Sequence, residues 1–80
     1  MIVARLRFFG AARDAAGGRE TDIDGQTVEE VLTAATSRYG DAFAEILERS
    51  KIWVNGEPAT PGDAVTPSDE VAVLPPVSGG

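Results

Sequence analysis

The chain has 80 residues, a formal net charge of −6, 42% hydrophobic residues, and neither cysteine nor histidine. Its length supports one domain, and its hydrophobic fraction excludes a disordered segment. Without Cys and His there are no thiol nucleophiles, disulfides, soft metal sites or Ser-His-Asp triads. The acidic balance argues against nucleic-acid binding through a basic patch, and it fits either simple solubility or a basic protein partner.

Metal and membrane binding are not expected either. Carboxylates alone would have to hold a metal, and the sequence has no Asp-x-Asp-x-Asp-Gly loop. No stretch approaches the roughly 20 apolar residues that cross a bilayer. The N-terminus lacks the basic-then-apolar layout of a signal peptide, so we expect a cytoplasmic protein.

Two strands and a short helix are predicted at the start of the chain. Residues 1–9 alternate as a strand whose apolar face consists of Ile2, Ala4, Leu6 and Phe8. Arg5 and Arg7 lie on the other face, where they either pair with acidic residues of a partner or are solvated. The Ala-rich segment Gly10–Ala16 predicts a helix that Gly17 and Gly18 stop, and Glu20–Asp24 predicts a second strand.

A helix that begins at Thr27 is the best-defined element. Thr27 and Glu30 fit a capping box, and Gly40 is placed to end the helix. One apolar face recurs at helical spacing through Val28, Val31, Leu32, Ala35 and Tyr39. A shorter helical segment is predicted over Asp41–Arg49, with Phe43, Ile46 and Leu47 as its apolar residues. The acidic residues Glu29, Glu30 and Asp41 are better explained by helix caps and dipoles than by catalysis.

The last third of the chain predicts strands and turns. Residues 51–55 form a strand with Ile52 and Val54 on one face and Trp53 on the other. Trp53 either packs over a sheet edge or loop or serves as an interaction hot spot. Asn55 and Gly56 predict a two-residue hairpin turn. Glu70–Leu74 is the last strand, because the prolines that follow it cannot donate to a sheet.

The order strand, strand, helix, strand, strand predicts an α+β fold. A mixed sheet packs on one main helix, and parallel neighbours in the middle of the sheet are natural if both terminal strands are buried. A flexible tail then ends in Gly79 and Gly80.

The two glycines that end the tail indicate that the carboxylate of Gly80 is the reactive group. Two glycines without Cβ can thread a narrow channel, although an unreactive terminus has the same composition. Residues 75–80 reach roughly 20 Å when extended. Pro75 and Pro76 have fixed φ angles, which lowers the entropy cost of ordering the tail. Val77 can bury apolar surface against a partner, and Leu74 belongs either to such a contact or to the core.

Three segments resemble the family of molybdopterin synthase small subunits. Residues 8–17 (FFGAARDAAG), followed by a capped helix, resemble the N-terminal half of that family. Residues 54–57 (VNGE) fit its pattern, and residues 69–80 (DEVAVLPPVSGG) are similar to its ending almost position by position. The resemblance covers essentially the whole chain.

The resemblance implies a ubiquitin-like β-grasp fold, with the domain over residues 1–74 and an extended C-terminal tail over 75–80. It implies a sulfur carrier that binds no cofactor itself and is not catalytic alone. A ubiquitin-activating-type adenylyltransferase uses ATP to adenylate Gly80, because an ionised carboxylate is a poor electrophile. A sulfur donor protein then supplies the sulfur of a thiocarboxylate.

The implied partner is the large subunit of molybdopterin synthase, in a heterotetramer. Insertion into that partner would involve the tail residues Leu74, Pro75, Pro76, Val77, Ser78 and Gly79. Sulfur then passes to the pterin precursor in molybdenum cofactor biosynthesis. Three alternatives remain: a sulfur carrier for thiazole, cysteine or tRNA thiolation, a ubiquitin-like protein modifier, or a plain interaction module.

Overall fold

In a computed structural model that describes residues 3–76, the chain forms a mixed five-stranded sheet and three helices. The elements follow in the order β1 (Val3–Phe8), α1 (Gly10–Ala16), β2 (Glu20–Asp24), α2 (Val28–Tyr39), α3 (Asp41–Arg49), β3 (Lys51–Val54), β4 (Glu57–Pro58) and β5 (Glu70–Leu74). Among these residues, no helix is long and apolar enough to cross a membrane.

The two terminal strands lie side by side in the middle of the sheet. The strand order is β2-β1-β5-β3-β4, with β1 and β5 parallel and the other pairs antiparallel. The predicted central parallel pair is therefore confirmed. It matters for the site because β5 is held on both sides just before the tail begins.

Two strand ends and one strand differ from the prediction. Phe9 was expected to close the first strand, but it is the N-cap residue of α1. Asn55 was expected to close the third strand, but its φ of 52° places it in the turn to β4. The edge strand β4 was not predicted, because its two residues are too few to give a periodic pattern. The prediction for Ile2 lies outside the described residues.

One face of the sheet packs on the helices and forms the core. The sheet contributes Ala4, Leu6, Phe8, Ile23, Val71 and Val73, and the helices contribute Ala12, Val28, Val31, Ala35 and Phe43. The Phe8 ring meets the Phe43 and Tyr39 rings edge-on, with centroids 5.5 and 5.4 Å away. The predicted apolar faces are thereby confirmed for the described residues. Six of their members are only half-buried: Leu32, Tyr39, Ile46, Leu47, Ile52 and Val54.

The predicted capping box is present with a one-residue shift. Glu30 N donates to Thr27 Oγ1 at 3.2 Å. The Glu30 carboxylate accepts from the amide of Gln26 at 3.1 Å, one residue before the N-cap. Asp41 lies in the first turn of α3 and Arg49 in its last, as the helix dipole favours. Glu30 thus caps α2, and Asp41 complements the dipole of α3.

Gly25 approaches α2 too closely for a side chain. An alanine Cβ at this position would lie 2.7 Å from Val31 Cγ2 and 2.8 Å from Val31 N. We expect Gly25→Ala to lower the free energy of unfolding by about 1–3 kcal/mol, because the backbone must shift. Gly18 is the matched control, since apart from its chain neighbours no atom of residues 3–76 lies within 4 Å of the place that a Cβ would take there. Urea unfolding of both variants checks the prediction, and equal midpoints would contradict it.

Candidate functional site

The structure places the start of the predicted tail at the end of the central strand β5. Leu74 is the last residue of β5 and lies opposite Lys51 of β3. Val73 is buried in the core, whereas Leu74 is half-buried and points to the opposite face. The sequence allowed Leu74 to belong either to the core or to a partner contact, and the structure places it outside the core. Pro75 is half-buried and Pro76 exposed.

The remaining predicted site residues form the C-terminal end of the tail. Val77, Ser78, Gly79 and Gly80 lie outside the described residues, so their insertion into a partner and the reaction at Gly80 stay predictions. The structure therefore brings together the base of the predicted site and the elements that hold it.

An apolar strip runs across the sheet face that carries no helix. Trp53 lies opposite Ala72 of β5 on one side and Pro58 of the edge strand β4 on the other. Trp53, Ala72 and Leu74 are each half-buried. We call this strip, Trp53, Ala72 and Leu74, the outer apolar strip. Trp53 lies next to the edge strand and is half-buried, a position that fits both sequence interpretations.

The arginines beside this strip pair within the chain. Arg7 Nη1 lies 3.3 Å from Glu70 Oε1, and Arg5 Nε lies 3.9 Å from Glu20 Oε2. The Arg7 guanidinium also lies 5.5 Å from the centroid of the Phe9 ring, which is 39% exposed. Neither sequence interpretation, a partner contact or a free solvated face, anticipated these internal carboxylates.

A small pocket flanks the base of the tail. It has a volume of about 180 Å³ and is lined by Ala11, Glu45, Ile46, Arg49, Pro75 and Pro76. Pockets for small molecules usually measure about 300–1,000 Å³, so this one is smaller than a typical ligand site. Sequence reasoning missed it, because it forms where α1, α3 and the tail meet and no local motif encodes that meeting.

A hydrogen-bonded lock fixes the start of β5. Asn55 Nδ2 donates to Asp69 Oδ1 at 2.8 Å, and Asn55 Oδ1 accepts from Glu70 N at 2.9 Å. Thr66 N donates to Asp69 Oδ2 at 2.8 Å. The bond from Asn55, followed by the one from the Thr66 amide, lowers the pKa of Asp69 below its ordinary value of 3.8. The turn asparagine thus also ties the hairpin to the last strand.

This lock predicts a dependence of stability on pH. A carboxylate whose pKa is lower in the folded state stabilises the fold above its unfolded pKa, and the effect is lost as pH falls through the folded value. We expect Asp69→Asn to lower the thermal midpoint at pH 7, because asparagine has one acceptor oxygen where Asp69 has two, so the hydrogen bond from either Asn55 or Thr66 is lost. The difference from the wild type should shrink as pH falls below about 4.

The exposed Asp14 on α1 offers the control for this measurement. Asp14→Asn should leave the midpoint at pH 7 unchanged. A difference between wild type and Asp69→Asn that stays constant from pH 7 to pH 2 would contradict the assignment.

The acidic side chains of the described turns have a structural role. Among residues 3–76, no three acidic side chains cluster in a way that could hold a metal ion. Asp63 resembles Asp69 in that hydrogen bonds from Thr60, first from its amide and then from its hydroxyl, lower its pKa. Both carboxylates therefore stabilise turns.

Comparisons with known proteins agree with this picture. Residues 6–80 match the ThiS family. Small archaeal modifier protein 1 of Haloferax volcanii is 34% identical over 84 aligned positions, which cover 92% of this chain and 97% of that protein. The solution structure of small archaeal modifier protein 1 from Methanosarcina acetivorans has a TM-score of 0.87 at 29% identity, covering 100% of this chain and 98% of that one.

A second solved structure has the same fold in a complex. The protein-protein complex of subunits 1 and 2 of the molybdopterin-converting factor from Helicobacter pylori contains a chain with a TM-score of 0.72. That match has 24% identity and covers 99% of this chain and 100% of the other. The predicted ubiquitin-like β-grasp is therefore confirmed.

Proposed function

Since this chain belongs to the ThiS family, and is thus a sulfur carrier or a ubiquitin-like modifier, we propose that it carries sulfur on Gly80 as the small subunit of molybdopterin synthase. The observation that carries the proposal is the family match, which runs through Gly80. In the fold, the central strand β5 leads directly into the Pro75-Pro76 segment, which supports the same proposal.

The proposed chemistry proceeds in two steps at Gly80. First, a carboxylate oxygen of Gly80 attacks the α-phosphorus of ATP, pyrophosphate leaves, and an acyl-adenylate forms on a separate activating enzyme. Second, a sulfur nucleophile from a donor protein attacks the carbonyl and AMP leaves. The attacking sulfur is the outer atom of a persulfide, so a thiol then attacks the donor's inner sulfur, the sulfur–sulfur bond breaks and a disulfide forms. The outer sulfur stays on Gly80 as a thiocarboxylate, which needs no cysteine in this chain. Because activation consumes ATP, we also propose a cytoplasmic location.

The fold supports this role through the position of the tail. Strand β5 pairs with β1 on one side and β3 on the other, so the origin of the tail is fixed to the domain. From there, residues 75–80 reach roughly 20 Å into a partner. The pocket beside Pro75 and Pro76 and the outer apolar strip offer surfaces on which a partner can dock while the tail is inserted.

The residues around the tail base carry both signs of charge. Arg49 and Glu45 line the pocket, and the positively charged Lys51 lies opposite Leu74. The proposed large subunit would complement the charges of the pocket around the entrance of its channel.

A partner subunit is a further part of the proposal. The Helicobacter pylori complex pairs a protein of this fold with a second subunit of a molybdopterin-converting factor. At 24% identity that structure speaks for the fold alone. The heterotetramer with a large subunit is our extension of it.

A ubiquitin-like modifier is the second candidate function. It is favoured by the 34% identity to a protein named as a small archaeal modifier. In that case the activated Gly80 would be joined to a lysine amine of a target protein. Both candidates share the acyl-adenylate and differ in the group that attacks it.

A single-turnover assay separates the candidates. The chain bearing a thiocarboxylate at Gly80 is mixed with the large subunit and the pterin precursor, and its intact mass is followed. We expect the sulfur to leave the chain as the dithiolene forms. Sulfur that stays on Gly80, with conjugates of higher mass in cell extracts, would favour the modifier. Transfer to thiazole, cysteine or tRNA precursors would instead assign another thiolation pathway.

A further inference from the structure

The chain has a single lysine, and it lies at the base of the tail. The other six cationic side chains are arginines: Arg5, Arg7, Arg13, Arg19, Arg38 and Arg49. Lys51 is exposed at the first position of β3, directly opposite Leu74. Among residues 3–76, the two ion pairs are Arg5–Glu20 and Arg7–Glu70, and Lys51 belongs to neither. Its amine is therefore not held by a carboxylate of the described fold.

We propose that Lys51 is the acceptor at which one copy of this chain is joined to another, and that the joined acceptor can no longer use its own tail. The inference rests on the proposed activation of Gly80. The neutral Lys51 amine of one copy attacks the Gly80 carbonyl of a second copy's acyl-adenylate. A C–N bond forms, the bond to AMP breaks, AMP leaves with the electron pair, and the nitrogen proton passes to solvent. ATP is the only co-reactant.

Lysine is the side chain that this chemistry requires. An arginine guanidinium stays protonated in proteins and is a poor nucleophile, so the six arginines do not compete. Each copy then has one acyl donor, Gly80, and one side-chain amine acceptor, Lys51. The products are unbranched and have a single kind of linkage.

The acceptor belongs to a second copy because of the tail geometry. Within one chain, Lys51 pairs with Leu74, so it lies beside the point where the tail starts. When the tail is extended into an activating enzyme, Gly80 lies roughly 20 Å from that point. A lysine side chain cannot span this distance. Pro75 and Pro76 further oppose a tight return of the tail, because their φ angles are fixed.

The position of Lys51 also explains why the joined acceptor is blocked. Directly opposed residues on neighbouring antiparallel strands have Cα atoms about 4.5–5.5 Å apart. A second domain attached at Lys51 therefore stands beside Leu74 and the pocket formed with Pro75 and Pro76. It occupies the surface that must approach a partner when the tail of the acceptor copy is inserted. Self-conjugation would thus withdraw carriers from sulfur transfer.

Lys51→Arg tests the acceptor, because it keeps the positive charge at an exposed position and removes the amine. Wild type and variant are each incubated with ATP and the activating enzyme without a sulfur source. Release of pyrophosphate shows that Gly80 is activated. We expect both proteins to release it. Only the wild type should form a species of twice the chain mass less one water.

Protease mapping identifies the linkage. Residues 52–80 contain no Lys or Arg, so trypsin leaves a long branch on the modified lysine. A protease that cleaves after Glu instead leaves the shorter branch of residues 71–80, and we expect it on Lys51. A matched variant, Arg49→Lys with Lys51→Arg, moves the amine two residues back onto the end of α3. It should shift the branch to position 49 or abolish the dimer.

The outcomes are distinct. Dimers that persist in Lys51→Arg, dimers linked elsewhere in the wild type, or pyrophosphate release without dimers would overturn the acceptor assignment and leave the proposed function intact. No pyrophosphate release from either protein would overturn the proposed function and this inference with it. For the blocking step, the purified Lys51-linked dimer is offered ATP and a sulfur source. Sulfur uptake by its free Gly80 at the monomer's rate would contradict the inference.

Discussion

Addition of one alanine after Gly80 should abolish sulfur loading while the domain stays folded. The extra residue moves the reacting carboxylate by one position, up to about 3.6 Å along an extended tail. A displacement of about 1 Å at a reacting group can already cost about 100-fold in rate, so we expect activity below detection. ATP-dependent formation of the thiocarboxylate, followed by intact mass, measures the effect.

Two controls accompany this variant. Removal of Gly79 and Gly80 should also abolish loading, and neither change should alter the thermal midpoint, because the core comes from residues 4–73. A chain that carries a different residue in place of Ser78, with Gly79 and Gly80 kept, tests whether the terminus or the tail as a whole matters. Thiocarboxylate formation by the extended chain at the wild-type rate would contradict the requirement that Gly80 be the terminal residue.

Truncation of Phe43 should be among the most destabilising single changes. Phe43 is fully buried, and its ring lies 5.5 Å from that of Phe8 and 5.3 Å from that of Tyr39. Replacement of a buried phenylalanine by alanine costs about 3–5 kcal/mol. Domains typically have about 5–15 kcal/mol of stability, and a chain this small buries a modest core. We therefore expect Phe43→Ala to be partly unfolded at 37 °C.

Phe9→Ala is the matched control for Phe43→Ala. Phe9 is 39% exposed and has the Arg7 guanidinium over its ring. Loss of that contact costs about 1 kcal/mol at an exposed site. Urea unfolding of the two variants should give well-separated midpoints. Equal midpoints would mean that the aromatic cluster does not hold the helices to the sheet.

Local patterns predicted most of the secondary structure. The bounds of α1, β2, α3 and β5 agree with the prediction residue for residue, and a glycine or proline marks at least one end of each. The spacing of Thr27 and Glu30 predicted the start of α2, where Glu30 N donates to Thr27 Oγ1. The Asn55-Gly56 turn was predicted from a left-handed preference, which the positive φ of both residues confirms.

Features that depend on tertiary contacts could not be predicted. The alternation along β5 does not show which face the helices cover, and the burial of Val71 and Val73 in the core is what places Leu74 on the outer face. Asn55 and Asp69 are 14 positions apart, and only the pairing of β3 with β5 brings them together. The pocket at Pro75 likewise needs α3 beside the end of the sheet.

Intact mass spectrometry tests the central claim most directly. The chain is incubated with ATP, a sulfur source and the activating enzyme, and the product is digested to locate the change. We predict a mass gain equal to the exchange of one oxygen for sulfur, confined to Gly80. An unchanged mass, with an enzyme proven competent on another carrier, would contradict the account.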